Sequence, residues 1–142
     1  MENSLFLILG AGITYALLCA IWYVLCVIGG WKVFTKAGEA GWKSIIPFYN
    51  TYIYFKISWK PVMFWVMVIL MIAGTYFSRS EDSSMVGHLC AFGSAILTVI
   101  QNVKLSKAFG HGIFYALGLL IFNPVFVVLL GFGGSRYHGP QK

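Results

Sequence analysis

The sequence predicts an all-α integral membrane protein, built as a bundle of four membrane-spanning helices. Two observations lead to this prediction. The 142 residues contain four long apolar segments, and only 10% of the chain is charged whereas 59% is hydrophobic. A soluble domain carries roughly 25% charged residues, and the mean hydropathy of this chain is +0.81. We therefore expect residues 1–142 to form a single membrane domain that lipid surrounds.

Each apolar segment is long enough, or nearly so, to cross a hydrocarbon core of about 30 Å at 1.5 Å per residue. The first lacks the basic start of a signal peptide and exceeds the apolar length of one, so we expect it to be retained. The second begins at Pro61, which suits the first turn of a helix. An alternative is three spans with one segment lying in the interface. The predicted spans cover residues 5–28, 61–77, 85–103 and 113–130.

Lysine and arginine predict the orientation of these spans. The long loop 31–60 holds five lysines and one glutamate, and the loop after the third span adds two more lysines. The other side holds the remaining three basic residues and three acidic ones. Seven basic residues against three predict that the lysine-bearing loops are cytoplasmic and that both termini lie outside. The expected location is the bacterial cytoplasmic, or inner, membrane.

The loop 31–60 is too apolar for a free linker, so we predict an ordered, interfacial and amphipathic segment. Gly41 and Trp42 restart the chain after the first span, and Pro47 breaks or starts the next helix. The segment has one apolar stripe at helical spacing and a second apolar side beside it. Two apolar sides favour a segment packed between the bundle and the lipid. The stripe itself comprises Ile45, Phe48, Tyr52, Phe55 and Trp59, with Asn50 on the opposite side.

Small residues recur every four positions on two of the spans. Such spacing lets helix backbones approach closely, and close packing drives helix association in lipid. We therefore expect the first and third spans to pack together, within one chain or between copies. The two small-residue faces are Gly12, Ala16 and Ala20 on the first span and Gly87, Ala91 and Ala95 on the third.

Few polar residues lie at membrane depth. His88, near the outer end of the third span, is either a hydrogen-bonded structural residue or a ligand or proton-relay group. Asn102 lies on the same span. In the fourth span, Pro124 should kink the helix, and Asn123 then either satisfies a freed backbone group or contacts a solute. The sequence has no GxSxG, HExxH, CxxC or phosphate-binding motif. We predict no enzymatic activity, no cofactor and no metal.

Two blocks of sequence carry a resemblance to a known family. They are KAGEAGWKSIIPFYNTYIYFKI and LSKAFGHGIFYALGLLIFNPVFVVLLGFGGSRYHGP. Together they resemble a family of small polytopic membrane proteins from Bacteroidetes-type bacteria, of unknown function. Some members carry the label signal peptidase I, and related segments occur fused to that enzyme. A Ser-Lys peptidase needs a soluble domain that holds its substrate, and this chain has no segment for one, so we expect no protease activity.

Two classes of function remain. We favour an accessory or scaffold subunit that binds other membrane proteins or itself, for example in secretion or envelope assembly. The alternative is a homo-oligomeric channel or small-solute transporter, with Gln101, Asn102 and Asn123 along its path. The lipid bilayer is the other expected partner, and nucleic acid is not expected. The candidate functional or packing residues are Gly41, Trp42, Pro47, Asn50, His88, Ala91, Asn102, Asn123 and Pro124.

Overall fold

The computed structural model describes residues 1–141 and is helical throughout its regular elements. Three helices, α1, α3 and α4, are long and apolar enough to cross a membrane. The all-α class predicted from the sequence agrees with this architecture, but only three helices of residues 1–141 have the length of a span, so the predicted bundle of four spans is not confirmed. The helices are α1 (Glu2–Lys36), α2 (Pro47–Ser58), α3 (Pro61–Ser78), α4 (Ser84–Ala108), α5 (Ile113–Ile121) and α6 (Asn123–Phe132), with short 3₁₀ turns at Gly41–Ser44 and Glu81–Ser83.

The predicted fourth span is two short helices that fold back on each other. The backbone leaves the helical region at Phe122, with φ −118° and ψ 56°. The hydroxyl of Tyr115 donates to the carbonyl of Phe126 at 3.1 Å, and their rings lie 5.1 Å apart. In a continuous helix, residues eleven positions apart would be about 16 Å apart. Helices α5 and α6 therefore form a re-entrant hairpin, and with nine and ten residues each is too short to cross a membrane on its own.

The hairpin returns the chain to the end of the molecule from which it started. We call this end, where α1 and α4 finish, the basic end. The C-terminal tail lies against it: the His138 amide donates to the Ala108 carbonyl, and Tyr137 donates to the Ile57 carbonyl at 2.7 Å. The N-terminus lies at the opposite end of α1. The prediction that both termini share one side does not agree with this arrangement, because it assumed four crossings.

The helices pair differently from the sequence-based expectation. Helix α3 packs on α4, and the last third of α1 packs on α6, whereas the backbones of α1 and α4 do not pack on each other, although side chains of both join the main core. A Cβ atom at Gly29 would lie 2.8 Å from the Val128 backbone nitrogen, and one at Gly131 would lie 2.9 Å from the Gly29 carbonyl oxygen. The α1–α6 crossing thus depends on these two glycines. The first and third spans therefore do not pair through their small residues within one chain, and pairing between copies stays a prediction.

The first two-thirds of α1 is exposed, and its hydrogen bond to the rest of the chain comes from Tyr23 near its end, which donates to the Ile45 carbonyl. Every residue from 1 to 24 is exposed, and the first buried position is Gly29. No other atom of the protein lies within 4 Å of a Cβ built at Gly10 or Gly12. The small-residue face predicted on this helix therefore contacts lipid or another molecule, but not this chain.

Helix α2 is the ordered part of the long loop, and it is buried on two sides. Ile53 and Ile57 join the main core with Val33, Leu105 and Leu119. Phe55, on another side, packs with Phe64 and Met67 in a second cluster. The two apolar sides recognised in the sequence are thus packed against α1, α4 and the hairpin on one side and against α3 on the other.

Candidate functional site

A polar cavity of about 250 Å³ lies where α1, α2, α4 and the hairpin meet. The cavity lies close to one end of the molecule. Asn102 is six residues from the end of α4, which places the cavity about 10 Å from the basic end. We call it the polar cavity. Its lining consists of Cys26, Asn50, Thr51, Tyr54, Thr98, Gln101, Asn102, Leu105 and Asn123.

Helix α2 supplies Asn50 to the polar cavity. Ile46 is extended at φ −83° and ψ 111°, and Pro47 then occupies the first helical turn, where its fixed φ favours helix initiation and its missing N–H costs nothing. The Asn50 amide donates to the Ser44 carbonyl at 3.1 Å, which ties α2 to the preceding 3₁₀ turn. The Ser44 hydroxyl in turn donates to the Val27 carbonyl of α1 at 3.0 Å.

Helix α4 supplies two amide side chains that are almost completely buried. Gln101 is 7% exposed and Asn102 is 6% exposed. The Asn102 amide nitrogen donates to the Thr98 carbonyl at 2.9 Å, and the Gln101 nitrogen lies 3.4 Å from the Ser58 hydroxyl. Burying such groups in lipid is costly without polar neighbours, so the cavity gives them a polar environment within the membrane.

The re-entrant hairpin supplies Asn123, the first residue of α6. Irregular backbone at membrane depth is tolerated where it is buried in protein or lines a polar cavity, and the break at Phe122 meets that condition. Pro124 follows at the second position of α6 and cannot donate a backbone bond there. The break therefore positions Asn123 beside Asn50 and Asn102, three candidate residues that are distant in the sequence.

The polar cavity offers neutral hydrogen-bonding groups. Its lining has three asparagines and one glutamine, together with threonine and tyrosine hydroxyls and one thiol, and no charged side chain. Within residues 1–141, no cluster of histidine, cysteine, aspartate and glutamate has the composition of a metal site. The arrangement suits the binding of a neutral polar group through several hydrogen bonds.

The basic end is fixed by two charged contacts. The Lys36 ammonium donates to the carbonyls of Leu130 at 2.8 Å, Gly133 at 2.7 Å and Ser135 at 3.0 Å. It thereby caps the last turn of α6, where a cation also complements the helix dipole. This contact joins the end of α1 to the end of the hairpin.

Glu39 makes the second charged contact. Its carboxylate oxygens lie 2.6 Å from both the Lys43 and the Lys56 ammonium groups. Hydrogen bonds from Lys43 and then Lys56 lower the pKa of Glu39, and the hydrogen bond to Glu39 raises the pKa of Lys43. The pair of bridges connects the turn after α1 to α2.

The other candidate residues lie outside the polar cavity. The ring of Trp31 covers Gly41, so a side chain at Gly41 would overlap the indole. Trp42 is half-exposed and stacks on Tyr49 with ring centroids 6.4 Å apart. The His88 Nδ1–H donates to the Ser84 carbonyl at 2.6 Å, one turn earlier in its own helix. The Ala91 nitrogen would lie 3.4 Å from a Cβ at Gly74, which places Ala91 at the α3–α4 contact.

Most of the chain matches one known protein family. Residues 42–140 match the model of a family of unknown function, DUF5684. The chain belongs to this family. The match covers α2 to α6 and nearly all of the tail, so it includes every residue of the polar cavity except Cys26. No curated protein and no solved structure matches the chain.

Several residues of the site were not among the sequence-based candidates. Thr51 and Tyr54 lie on the predicted helix of the long loop, but no pattern indicated which side would face a cavity. The sequence indicates Gly29 and Gly131 only weakly as helix-contact positions, since each lies in a pair or cluster of glycines beside an apolar run. The four-residue spacing of small residues drew attention to other positions, because that spacing does not specify which helix is the partner.

Proposed function

We propose that this chain is an accessory or scaffold subunit that binds another membrane protein through the first two-thirds of α1. The observation that supports this proposal is the exposure of all residues from 1 to 24, in a helix whose own-chain contacts come from its last third and from Tyr23, which donates to the Ile45 carbonyl. In lipid, helices associate by close packing of small residues. Gly12, Ala16 and Ala20 offer such a face, and it is unoccupied in this chain.

The charges support a cytoplasmic basic end in a bacterial inner membrane. Nine of the ten basic residues lie in the described part of the chain, since only Lys142 is excluded. Arg79 lies after α3 at the opposite end. The other eight lie at the basic end, because the tail that carries Arg136 also folds there. This bias is stronger than the seven-to-three ratio of the four-span topology, and it supports the proposal that the N-terminus lies outside and the tail inside.

A matched pair of substitutions tests the partner-binding proposal. Ala16 and Ala11 are both exposed on α1, but they are five residues apart and so point in directions about 140° apart. The tagged protein should be purified from native membranes in mild detergent, and bound proteins quantified by mass spectrometry. We expect a stoichiometric membrane-protein partner that Ala16→Leu removes and Ala11→Leu retains. Equal retention in both variants, or the absence of a stoichiometric partner, would contradict the proposal.

The polar cavity favours a second candidate function, a homo-oligomeric channel or small-solute transporter. In one chain the cavity lies near the basic end only, and the lining contains no residue of α3. A complete path would therefore need several copies. Size measurements in detergent distinguish the two candidates: a symmetric homo-oligomer with solute flux in vesicles supports the channel, and a hetero-complex without flux supports the scaffold.

A further inference from the structure

We propose that the polar cavity and an apolar groove beside it form one binding site for a lipid that has an uncharged, hydroxyl- or amide-bearing headgroup and an acyl chain. The headgroup would occupy the polar cavity and the chain would lie in the groove. This inference is independent of partner binding by α1, because the site consists of residues from other helices apart from Cys26.

The groove lies between α2 and α3 on the lipid-facing side. Its volume is about 360 Å³ and, apart from one threonine, its lining is apolar. Phe64 forms its buried floor at 1% exposure, whereas Phe48 and Ile72 are more than half exposed and form its rim. A floor of this kind with open sides suits a flexible hydrocarbon chain. The lining residues are Phe48, Thr51, Phe64, Met67, Val68, Met71 and Ile72.

Two contacts join the groove to the polar cavity. Thr51 lines both spaces. In addition, the Thr98 hydroxyl of the polar cavity lies 3.8 Å from the sulfur of Met67, which lines the groove. The polar space therefore adjoins the apolar space at Thr51 of α2 and at the contact of α4 with α3. A polar space that adjoins an apolar one matches an amphiphile better than it matches a free solute.

The lining of the polar cavity indicates the chemistry of the headgroup. About eight water molecules would fill 250 Å³ at roughly 30 Å³ each, so a small headgroup fits. A phosphate or carboxylate would lose its hydration there without a cation to replace it, since no lysine or arginine lines the space. Amides and hydroxyls, by contrast, pair well with a neutral diol or amide. Buried Gln101 and Asn102 provide both donors and acceptors.

Native mass spectrometry of the purified full chain tests this site. The probes are monoolein, with a neutral diol headgroup, and oleate and lysophosphatidylglycerol, which are anionic. We expect the protein to bind monoolein more tightly than either anionic probe. Asn102→Ala should weaken monoolein binding about tenfold, since it removes hydrogen bonds from a buried site. Ser94→Ala, two turns earlier on α4 and outside both spaces, should leave it unchanged. Val68→Ser should weaken binding by placing a hydroxyl in the groove.

A second measurement uses thiol alkylation and leaves the amide side chains of the polar cavity unchanged. Cys26 lines the polar cavity, whereas Cys90 does not. With Cys19 replaced by serine and either Cys26 or Cys90 kept as the single thiol, monoolein should slow alkylation of Cys26 by N-ethylmaleimide and not that of Cys90. Monoolein that slows both thiols equally or neither, or tighter binding of an anionic probe, would overturn the proposal. Unchanged monoolein binding by a folded Asn102→Ala protein would also overturn it.

Discussion

Single glycines decide how the helices of this protein pair. Gly29 and Gly131 let the α1 and α6 backbones meet, and a Cβ at Gly131 would lie 2.7 Å from the Lys32 Cβ. Gly12 lies on the same helix as Gly29 but has open space around it. Identical residue types thus have different structural roles, and the difference depends on the position of the partner helix.

Gly131→Leu should destabilise the protein, and Gly12→Leu should not. The leucine at position 131 meets backbone and Cβ atoms of α1 that cannot move without separating the helices, at a cost of about 1–3 kcal/mol for overpacking. The leucine at position 12 adds apolar surface in lipid. Thermal unfolding in detergent measures both variants. A Gly12→Leu loss equal to that of Gly131→Leu would contradict the assigned α1–α6 contact.

The charged contacts of Glu39 predict a specific pH dependence. Its pKa lies below the usual 4.5 when folded, so its stabilising effect is complete above about pH 4.5 and is lost as the pH falls through the lower, folded value. The raised pKa of Lys43 preserves that bridge up to about pH 10.5. We expect Glu39→Gln to lower the melting temperature at pH 7, with the difference from wild type shrinking progressively as the pH falls below about 4.5. A constant difference across this range would contradict the role of the ionised carboxylate.

At the scale of elements, the re-entrant hairpin determines the architecture. Its two helices have nine and ten residues, and each would extend only about 15 Å. The ring of Phe126 fills the space over Gly118, where a side chain would overlap it. The hydrogen bond from the Tyr115 hydroxyl to the Phe126 carbonyl is a second contact between the two helices. These contacts, rather than lipid, cover the inner faces of the two short helices.

A double substitution tests the hairpin. Gly118→Leu should overlap the Phe126 ring and destabilise the protein by about 1–3 kcal/mol. Phe126→Ala removes the ring and should destabilise it by about 3–5 kcal/mol. In the double variant the leucine occupies part of the space left by the ring, so the total loss should be smaller than the sum of the two. Strictly additive losses, measured by unfolding in detergent, would show that the two positions do not touch.

The sequence predicts the single helices well and the hairpin poorly. Pro47 and Pro61 start α2 and α3 as their first-turn preference requires. The 18-residue apolar run after residue 112 is compatible both with one crossing and with two short helices, since hydropathy measures apolar content and not direction. Asn123 and Pro124 indicate a break there, but the size of the turn depends on tertiary contacts such as Tyr115 with Phe126.

The candidate site, like the hairpin, could be predicted from the sequence only in part. Asn50, Asn102 and Asn123 stand out in the sequence as polar residues in apolar surroundings, and the folded chain brings all three to one cavity. Nothing in the sequence relates them, because they lie about 50 and 20 residues apart and only the hairpin turn makes them neighbours. The groove beside the cavity could not be recognised in the sequence either, because its residues have the composition of any lipid-facing surface.

At the scale of the whole molecule, three helices long enough to cross a membrane and one hairpin give an asymmetric protein. Its polar cavity, both charged contacts and the C-terminal tail lie at the basic end, and the exposed part of α1 extends from the opposite end. Partner binding in one leaflet and lipid binding in the other would therefore involve separate surfaces. The three-crossing topology is the central claim, because both proposals depend on it.

Side-specific cysteine labelling tests this topology most directly. In a chain without its native cysteines, single cysteines replace Ala40 after α1, Ser80 after α3 or Gly134 after α6, all of which are exposed. A membrane-impermeant maleimide is added to sealed vesicles of known orientation. Three crossings predict that Ala40→Cys and Gly134→Cys react from the same side and Ser80→Cys from the other. If Gly134→Cys reacts together with Ser80→Cys, the hairpin crosses the membrane and the account is contradicted.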